Sequence, residues 1–320
     1  MEKMINNNSI AILMSTYNGD KFLEEQIISI FRQKNIGKIH LFVRDDGSSD
    51  NTLKLLSKIK NRYNNQITII PGENVGYAKS FFELMKLPQL GEYDYIGLSD
   101  QDDTWKENKL DILTKSFKYS RDVPQLVFSN GIVVAKQKKM GKIYEVPPVT
   151  RNIISVRYRA FYGMTFLFNR TLLNVILVSN IDDISGLGHD DWIMIVVVNV
   201  GEIIFVDQPL VNYRQHSNNA SGIKTSAKNK ADLSKILQVI MNLKNRLKHW
   251  SLVNSSIANY ALEHIDEECM LDEQKDFLKN ISEANTNLSV RVRLLYSKRL
   301  NVGSLAQNVI LKILLISKKI

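Results

Sequence analysis

Asp100-Gln-Asp-Asp-Thr-Trp105 sets three carboxylates directly after the apolar run Tyr93-Asp-Tyr-Ile-Gly-Leu-Ser99. Carboxylates crowded at the end of a short buried strand can hold a hard cation such as Mg²⁺ or Mn²⁺, which commonly bridges to the phosphates of a nucleotide. The same residues would also serve as a solvated acidic turn. An EF-hand loop fits poorly: counting from Asp100, its glycine position holds Trp105 and its terminal Glu position holds Asp111.

Three upstream segments, Ser15-Thr-Tyr-Asn-Gly19, Arg44-Asp-Asp-Gly-Ser-Ser-Asp50 and Asn74-Val-Gly76, also follow apolar runs. Each alone is ordinary turn chemistry. The runs before them, Ile10 to Met14, Ile39 to Val43, Ile67 to Ile70 and Tyr95 to Leu98, read as strands, and Leu126 to Phe128 as a fifth. Helical stripes lie between, one at Phe22, Ile27, Ile30 and Phe31 and one at Leu53, Leu55, Leu56 and Ile59, the latter with Ser49-Asp50-Asn51 as its N-cap region. This alternation predicts an α/β fold whose mostly parallel central sheet is flanked by helices, with ligands at the carboxyl ends of the strands. Four polar segments sharing that edge would form a pocket. Later, Met164 to Phe168 reads as a strand, His189 to Val200 as a helix, and Glu202 to Val206 as a strand ending at Asp207-Gln-Pro209. Residues 233–260, 273–284 and 305–316 read as helices.

The chain has 320 residues, 44% of them hydrophobic and 23% charged, which is globular composition. The lone cysteine, Cys269, excludes an intramolecular disulfide framework and a thiolate metal cage and fits a reducing compartment. No signal-peptide core and no transmembrane run of about 20 apolar residues is visible. Net charge is +9, unevenly placed: residues 221–320 carry 16 Lys and Arg against 9 Asp and Glu, residues 1–220 carry 26 against 24. A basic C-terminal third implies an anionic partner, lipid head groups or nucleic acid. Nucleic acid fares worse, because no recognised motif appears and the basic runs lack interleaved aromatics.

In order and kind, these motifs resemble the family 2 glycosyltransferases over residues 9 to about 220, and Leu98-Ser-Asp-Gln-Asp-Asp-Thr-Trp105 is most similar to their bacterial rhamnosyltransferase-like branch. Gly163-Met-Thr-Phe-Leu-Phe-Asn169, His189-Asp-Asp-Trp192 and Asp207-Gln-Pro-Leu-Val-Asn-Tyr-Arg-Gln-His-Ser-Asn-Asn219 extend the likeness. The resemblance implies a GT-A nucleotide-sugar-binding domain over 1–220, followed by a helical region over 221–320. It implies that Thr16 and Tyr17 line the nucleobase pocket and that Asp46 bonds the base or ribose; Asp45 is as well read as a strand-end cap. Asp100 and Asp102 become the Asp-x-Asp pair, with Asp102 the ligand of Mn²⁺ or Mg²⁺, Asp100 nearer the ribose and Asp103 in support.

Asp190 is the candidate base for the acceptor hydroxyl, with Asp191, where the family has an aromatic residue, as the alternative. Arg214 could approach the diphosphate and His216 the metal. Trp105 and Trp192 could stack on a sugar, or simply pack. The expected reaction is inverting transfer of a hexosyl unit, rhamnose first, from a nucleoside diphosphate sugar to a growing, lipid-linked cell-surface polysaccharide at the inner face of a bacterial plasma membrane. Uridine diphosphate galactose or glucose is the runner-up donor. Other readings are a nucleotidyltransferase, which lacks its Gly-rich, Arg-containing loop here, and a catalytically silent assembly subunit. The apolar face of 305–316 with Lys312, Lys318 and Lys319 would suit an anionic membrane surface as well as a helical bundle.

Overall fold

The computed structural model describes residues 6–63, 65–148, 150, 152–157, 160–179, 187–216, 256–284, 286–297, 300, 308–309 and 312. Ile10-Ala-Ile-Leu-Met14 is apolar without alternation, as a strand covered on both faces must be. It forms the middle of β1 (Asn6–Thr16), and every one of those residues is fully buried. Ala11 and Leu13 point into one hydrophobic cluster, Ile10, Ile12 and Met14 into the other.

Around β1 lie β2 (Ile36–Asp45), β3 (Ile67–Pro71) and β4 (Tyr95–Ser99), parallel and in the order β3-β2-β1-β4. The sheet continues through β8 (Phe166–Asn169), antiparallel to both neighbours, to β6 (Gln125–Ala135), then β9 (Glu202–Gln215), parallel to β6, and the two-residue β5 (Thr104–Trp105). A hairpin strand, β7 (Lys138–Lys142), edges β6.

The helices α1 (Leu23–Phe31), α2 (Thr52–Arg62) and α4 (Lys109–Lys115) close one face. The other is covered by α3 (Tyr77–Met85), α5 (Ile153–Arg157), α6 (Arg170–Val178) and α7 (His189–Val200). Among these α7 is buried on every side from Trp192 to Val200, which a helix tolerates only when protein surrounds it.

That surround comes partly from the C-terminal helices: α8 (256–264), α9 (Asp272–Glu283) and α10 (Leu288–Tyr296). Trp192 meets Tyr260 edge-on at 5.4 Å, and the Leu271 N–H donates to the Asn199 carbonyl at 2.9 Å. Ile257, Phe277, Ile281 and Leu294 belong to the same core cluster as Phe166 and Val196. The boundary expected near residue 220 lies outside the described residues, as do nearly all of the expected helix over 305–316 and most of that over 233–260. Among the described residues no helix is long and apolar enough to cross a membrane.

Two details depart from the expected elements, and a third explains a tight junction. The strand expected to stop at Asp207 runs on to Gln215, because β9 bulges on either side of Pro209, which stands opposite Asn130 of β6. Met164 and Thr165 form a short 3₁₀ turn before β8. Gly201, between α7 and β9, lies so close to the Pro124 carbonyl that a Cβ would stand 2.1 Å from it, so only glycine lets the chain reverse there.

Candidate active site

The four polar segments do meet. Ser15 and Tyr17 after β1, Asp46 after β2, Asn74 and Gly76 before α3, and Asp100 to Asp102 after β4 line one cavity of about 660 Å³. Its far wall is Phe161, Tyr162 and Gly163 with the first turn of α7, His189, Asp190 and Asp191, and Tyr213 of β9. The sheet delivers the first group because parallel neighbours end together; α7 delivers the second with its N-terminus, where backbone N–H groups favour negative charge.

On the β2 side the carboxylates are tied up in structure. Asp45 accepts from Thr16 Oγ1 at 3.0 Å, Ser48 N at 2.9 Å and Ser48 Oγ at 2.6 Å. Asp46 accepts from the Arg44 guanidinium and from the backbone N–H groups of Val75 and Gly76, both at 2.9 Å. Thr16 and Asp45 are buried beneath the cavity rather than in its lining, so of the expected nucleobase residues Tyr17, 48% exposed, and Asp46 are the ones that face it.

On the β4 side the carboxylates crowd one another. Scarce water around Asp100, then the charges of Asp102 and Asp190, push its carboxyl up to about 7, with Lys109 opposing. Asp103 lies behind, fully buried; Oδ1 accepts from the Arg214 N–H at 2.9 Å, while Oδ2 has no hydrogen bond among the described residues. Burial first, then Asp100 and Asp102, hold the Asp103 carboxyl well above the usual range. His216 Nε2 lies 2.8 Å from Asp102 Oδ2, its ring stacked on Phe22.

Four expected contacts fall elsewhere. Trp192 is completely buried and turned toward the C-terminal helices, because two residues along a helix is about 200° of rotation from Asp190. Trp105 pairs in β5 with Val211 and packs under Lys109. Arg214 donates to the Asp102 carbonyl at 2.9 Å and to Glu25 at 2.6 Å, its guanidinium 4.4 Å from the Phe22 ring. It clamps the acidic loop from outside and is absent from the cavity lining, as is Asp103.

Asp190 and Asp191 both line the cavity. Asp190 Oδ1 accepts from the Asp191 N–H at 2.9 Å. The Asp190 charge raises Asp100, Tyr77 and Tyr162, whereas that of Asp191 reaches Tyr77 and His189. The charge of Asp190 is thus the one of the pair felt at Asp100.

The sequence reading passed over two groups. Lys109 is completely buried, donates to the Met164 carbonyl at 2.6 Å and stands 3.3 Å from the Trp105 ring centroid. Burial pushes its ammonium well below the usual lysine range, against the pull of Asp103 and Asp100. The signal available was a lysine four residues after Trp105, on the apolar side of α4. Tyr77, 55% exposed, stands at the mouth, its hydroxyl pushed up by burial, then by Asp190, Asp191 and Asp100.

Among the described residues no three His, Cys, Asp or Glu side chains form a ready ligand set. That is compatible with Mg²⁺ or Mn²⁺, which commonly take one or two carboxylates and complete their shell with substrate phosphates. Asp100 and Asp102 fit such a role: their mutual repulsion, the second cause of the raised Asp100, is what a cation would relieve.

Residues 11–174 match the family model described as "Glycosyl transferase family 2". A curated relative, "dTDP-rhamnosyl transferase RfbG" of Shigella flexneri, is 30% identical over 68% of this chain and 76% of its own length. "Minor teichoic acid biosynthesis protein GgaA" of Bacillus subtilis is 31% identical over 52% of this chain, which spans 39% of that protein. Among solved structures, S. aureus TarS 1-349 in complex with UDP-GlcNAc superposes with a TM-score of 0.54 at 13% identity, over 98% of this chain and 82% of that one. The mannosyltransferase PcManGT from Pyrobaculum calidifontis, in complex with GDP-Man and Mn²⁺, gives 0.51 at 14% identity, over 99% and 89%. These two share the fold.

Proposed function

The chain belongs to glycosyltransferase family 2 and is a glycosyltransferase; from that premise we propose that it is a metal-dependent, inverting hexosyltransferase. The donor is a nucleoside diphosphate sugar, deoxythymidine diphosphate rhamnose first among them, and the acceptor a hydroxyl of a growing, lipid-linked cell-surface polysaccharide. The observation that carries this reading is the meeting of Asp100 and Asp102 with Asp190, from two stretches of chain far apart in sequence, around one cavity.

Tyr17 offers its exposed ring to the nucleobase, and Asp46 holds the loop beneath it. Asp102, with Asp100 beside it and His216 bonded to it, would hold Mn²⁺ or Mg²⁺. Bound there, the cation would supply electrostatic stabilisation of the negative charge that grows on the departing nucleoside diphosphate. Asp190 takes the proton from the acceptor hydroxyl as that oxygen attacks the anomeric carbon from the side opposite the diphosphate. A single displacement follows, with inversion and no covalent enzyme intermediate. Two features support rhamnose: the name of the relative with the widest coverage reported above, and the aromatic inner wall, where Phe81 and Phe161 would cover a sugar methyl group.

The residues over 1–220 act as the catalytic domain. The basic C-terminal region rests on anionic lipid at the inner face of the membrane, where lipid-linked acceptors are presented.

The deciding experiment is a donor panel of deoxythymidine, uridine and guanosine diphosphate sugars with purified protein and Mn²⁺, reading nucleoside diphosphate release. One donor should give release that chelator abolishes and Asp102→Asn loses. Equal release in chelator would overturn the metal assignment, and pyrophosphate as the product would overturn glycosyl transfer by this site.

A further inference from the structure

His189 opens α7 at 4% exposure, yet neither Nδ1 nor Nε2 has a hydrogen-bond partner among the described residues. Buried side-chain polar atoms nearly always find one, and a core imidazole ordinarily settles at least one nitrogen on a carbonyl or hydroxyl. This ring is instead oriented by stacking. It lies on Phe81 with centroids 3.9 Å apart and planes 22° apart, and edge-on to Tyr77 at 6.0 Å. Nε2 faces Gly163, where an added Cβ would stand 2.8 Å away. Gly163 and His189 both line the cavity, and with no side chain at 163 nothing from that position covers the unpartnered nitrogen, whereas any Cβ there would crowd it.

That place is at the inner end of the cavity. Phe81, Phe161, Gly163 and His189 are buried, whereas Tyr17 and Tyr77 at the mouth are exposed. An acceptor glycan carries a chain behind it and has to enter through the mouth. Only the sugar about to be transferred needs to be enclosed. With aromatic rings on either side, the imidazole is the polar group that enclosed sugar would meet next to Asp190.

We propose that His189 recognises one hydroxyl of the transferred sugar, through the nitrogen that faces the space beside Gly163. The assignment rests on the reading of the cavity as a donor site. Burial pushes the imidazole down to about 3, against the Asp191 charge, so it is neutral when the enzyme works. A neutral imidazole has one donor and one acceptor, which matches a hydroxyl and offers nothing to a phosphate charge. The pocket would reject an analogue that lacks the hydroxyl, since the nitrogen would then stay sealed without a partner.

The test measures binding of free UDP and free dTDP, and of UDP-glucose, UDP-galactose and dTDP-rhamnose, by titration calorimetry with Mn²⁺. His189→Phe keeps the stacking on Phe81 and removes both nitrogens. For the best nucleotide sugar, its affinity should fall about tenfold or more, with the affinity of the matching free nucleoside diphosphate unchanged. His189→Gln, which keeps a donor and an acceptor, should recover part of the loss. Gly163→Ala approaches from the other side: its methyl group takes the space beside Nε2 and should produce the same selective loss, whether or not the Phe variant folds. Equal weakening of nucleotide and nucleotide sugar, or of neither, overturns the assignment while leaving the donor site intact. Failure of every nucleotide and nucleotide sugar to bind the wild-type protein overturns the donor-site reading and this assignment with it.

Discussion

At the end of β2, Asp45 and Asp46 are surrounded by donors: Thr16, Ser48, two backbone N–H groups and the Arg44 guanidinium. At the end of β4, two strands away in the sheet, Asp100, Asp102 and Asp103 face one another and Asp190, with a buried lysine set apart behind them. Both groups began as carboxylates after an apolar run. The first fastens two loops to the sheet, with Asp46 also facing the cavity. The second holds more negative charge than its surroundings compensate, which is how a protein prepares a place for cationic or phosphate-bound chemistry. Sequence type alone does not separate these uses; the count of donors around each carboxylate does.

The sharpest break of this contrast is Asp46→Ala against Asp190→Asn. Removing Asp46 leaves the Arg44 guanidinium buried without its carboxylate and should cost about 3–5 kcal/mol in urea unfolding. Asp190→Asn should keep donor binding and stability and slow transfer by at least about 10²-fold, the scale of a general base. If Asp191→Asn is the slow variant instead, the acidic pair has been ranked in the wrong order.

Asp100→Asn should separate stability from function in the opposite sense. Its folded value of about 7 lies above the ordinary 3.8, so the fold favours the protonated form and loses stability as pH rises through 7. At pH 8 the amide should therefore stabilise the metal-free protein, on the order of 2 kcal/mol, while weakening metal-dependent donor binding. A drop in Tm at that pH would show that the carboxylate is held by donors after all.

The last effect is confined to the acid limb of stability and is small near neutral pH. His189 falls from 6.5 in the open chain to about 3 in the fold, so the unfolded state binds the proton first. Stability should decline as pH drops below about 6.5, with a limiting slope from this one group of about 1.4 kcal/mol per pH unit down to about 3. His189→Phe should flatten that limb; an unchanged slope would mean that the imidazole is not sealed.

The strands β1 to β4 were legible because mostly apolar runs of four or five residues, each followed closely by polar residues, suit few other structures. Their shared edge, and with it the pocket, followed from alternation. What hid was whatever depended on neighbours distant in sequence. β9 past Pro209 could not be seen, since a proline ends most strands unless the strand bulges there, and the bulge shows only in the pairing with β6. Trp192 could be read as a sugar platform or as packing, and only the turn of the helix, which carries it to the side opposite Asp190, decides for packing. Lys109 and His189 stayed unassigned because a lysine or histidine in a sequence carries no mark of burial.

One consequence reaches beyond the cavity. The rod α7 holds the acidic pair at its tip and is gripped along its flank by the chain's C-terminal helices. Its twelve residues make a lever about 18 Å long, so a ten-degree tilt about the far end would swing Asp190 by roughly 3 Å, enough to make or break contact with an acceptor. Whatever those helices lean on is thereby mechanically connected to Asp190, the proposed base.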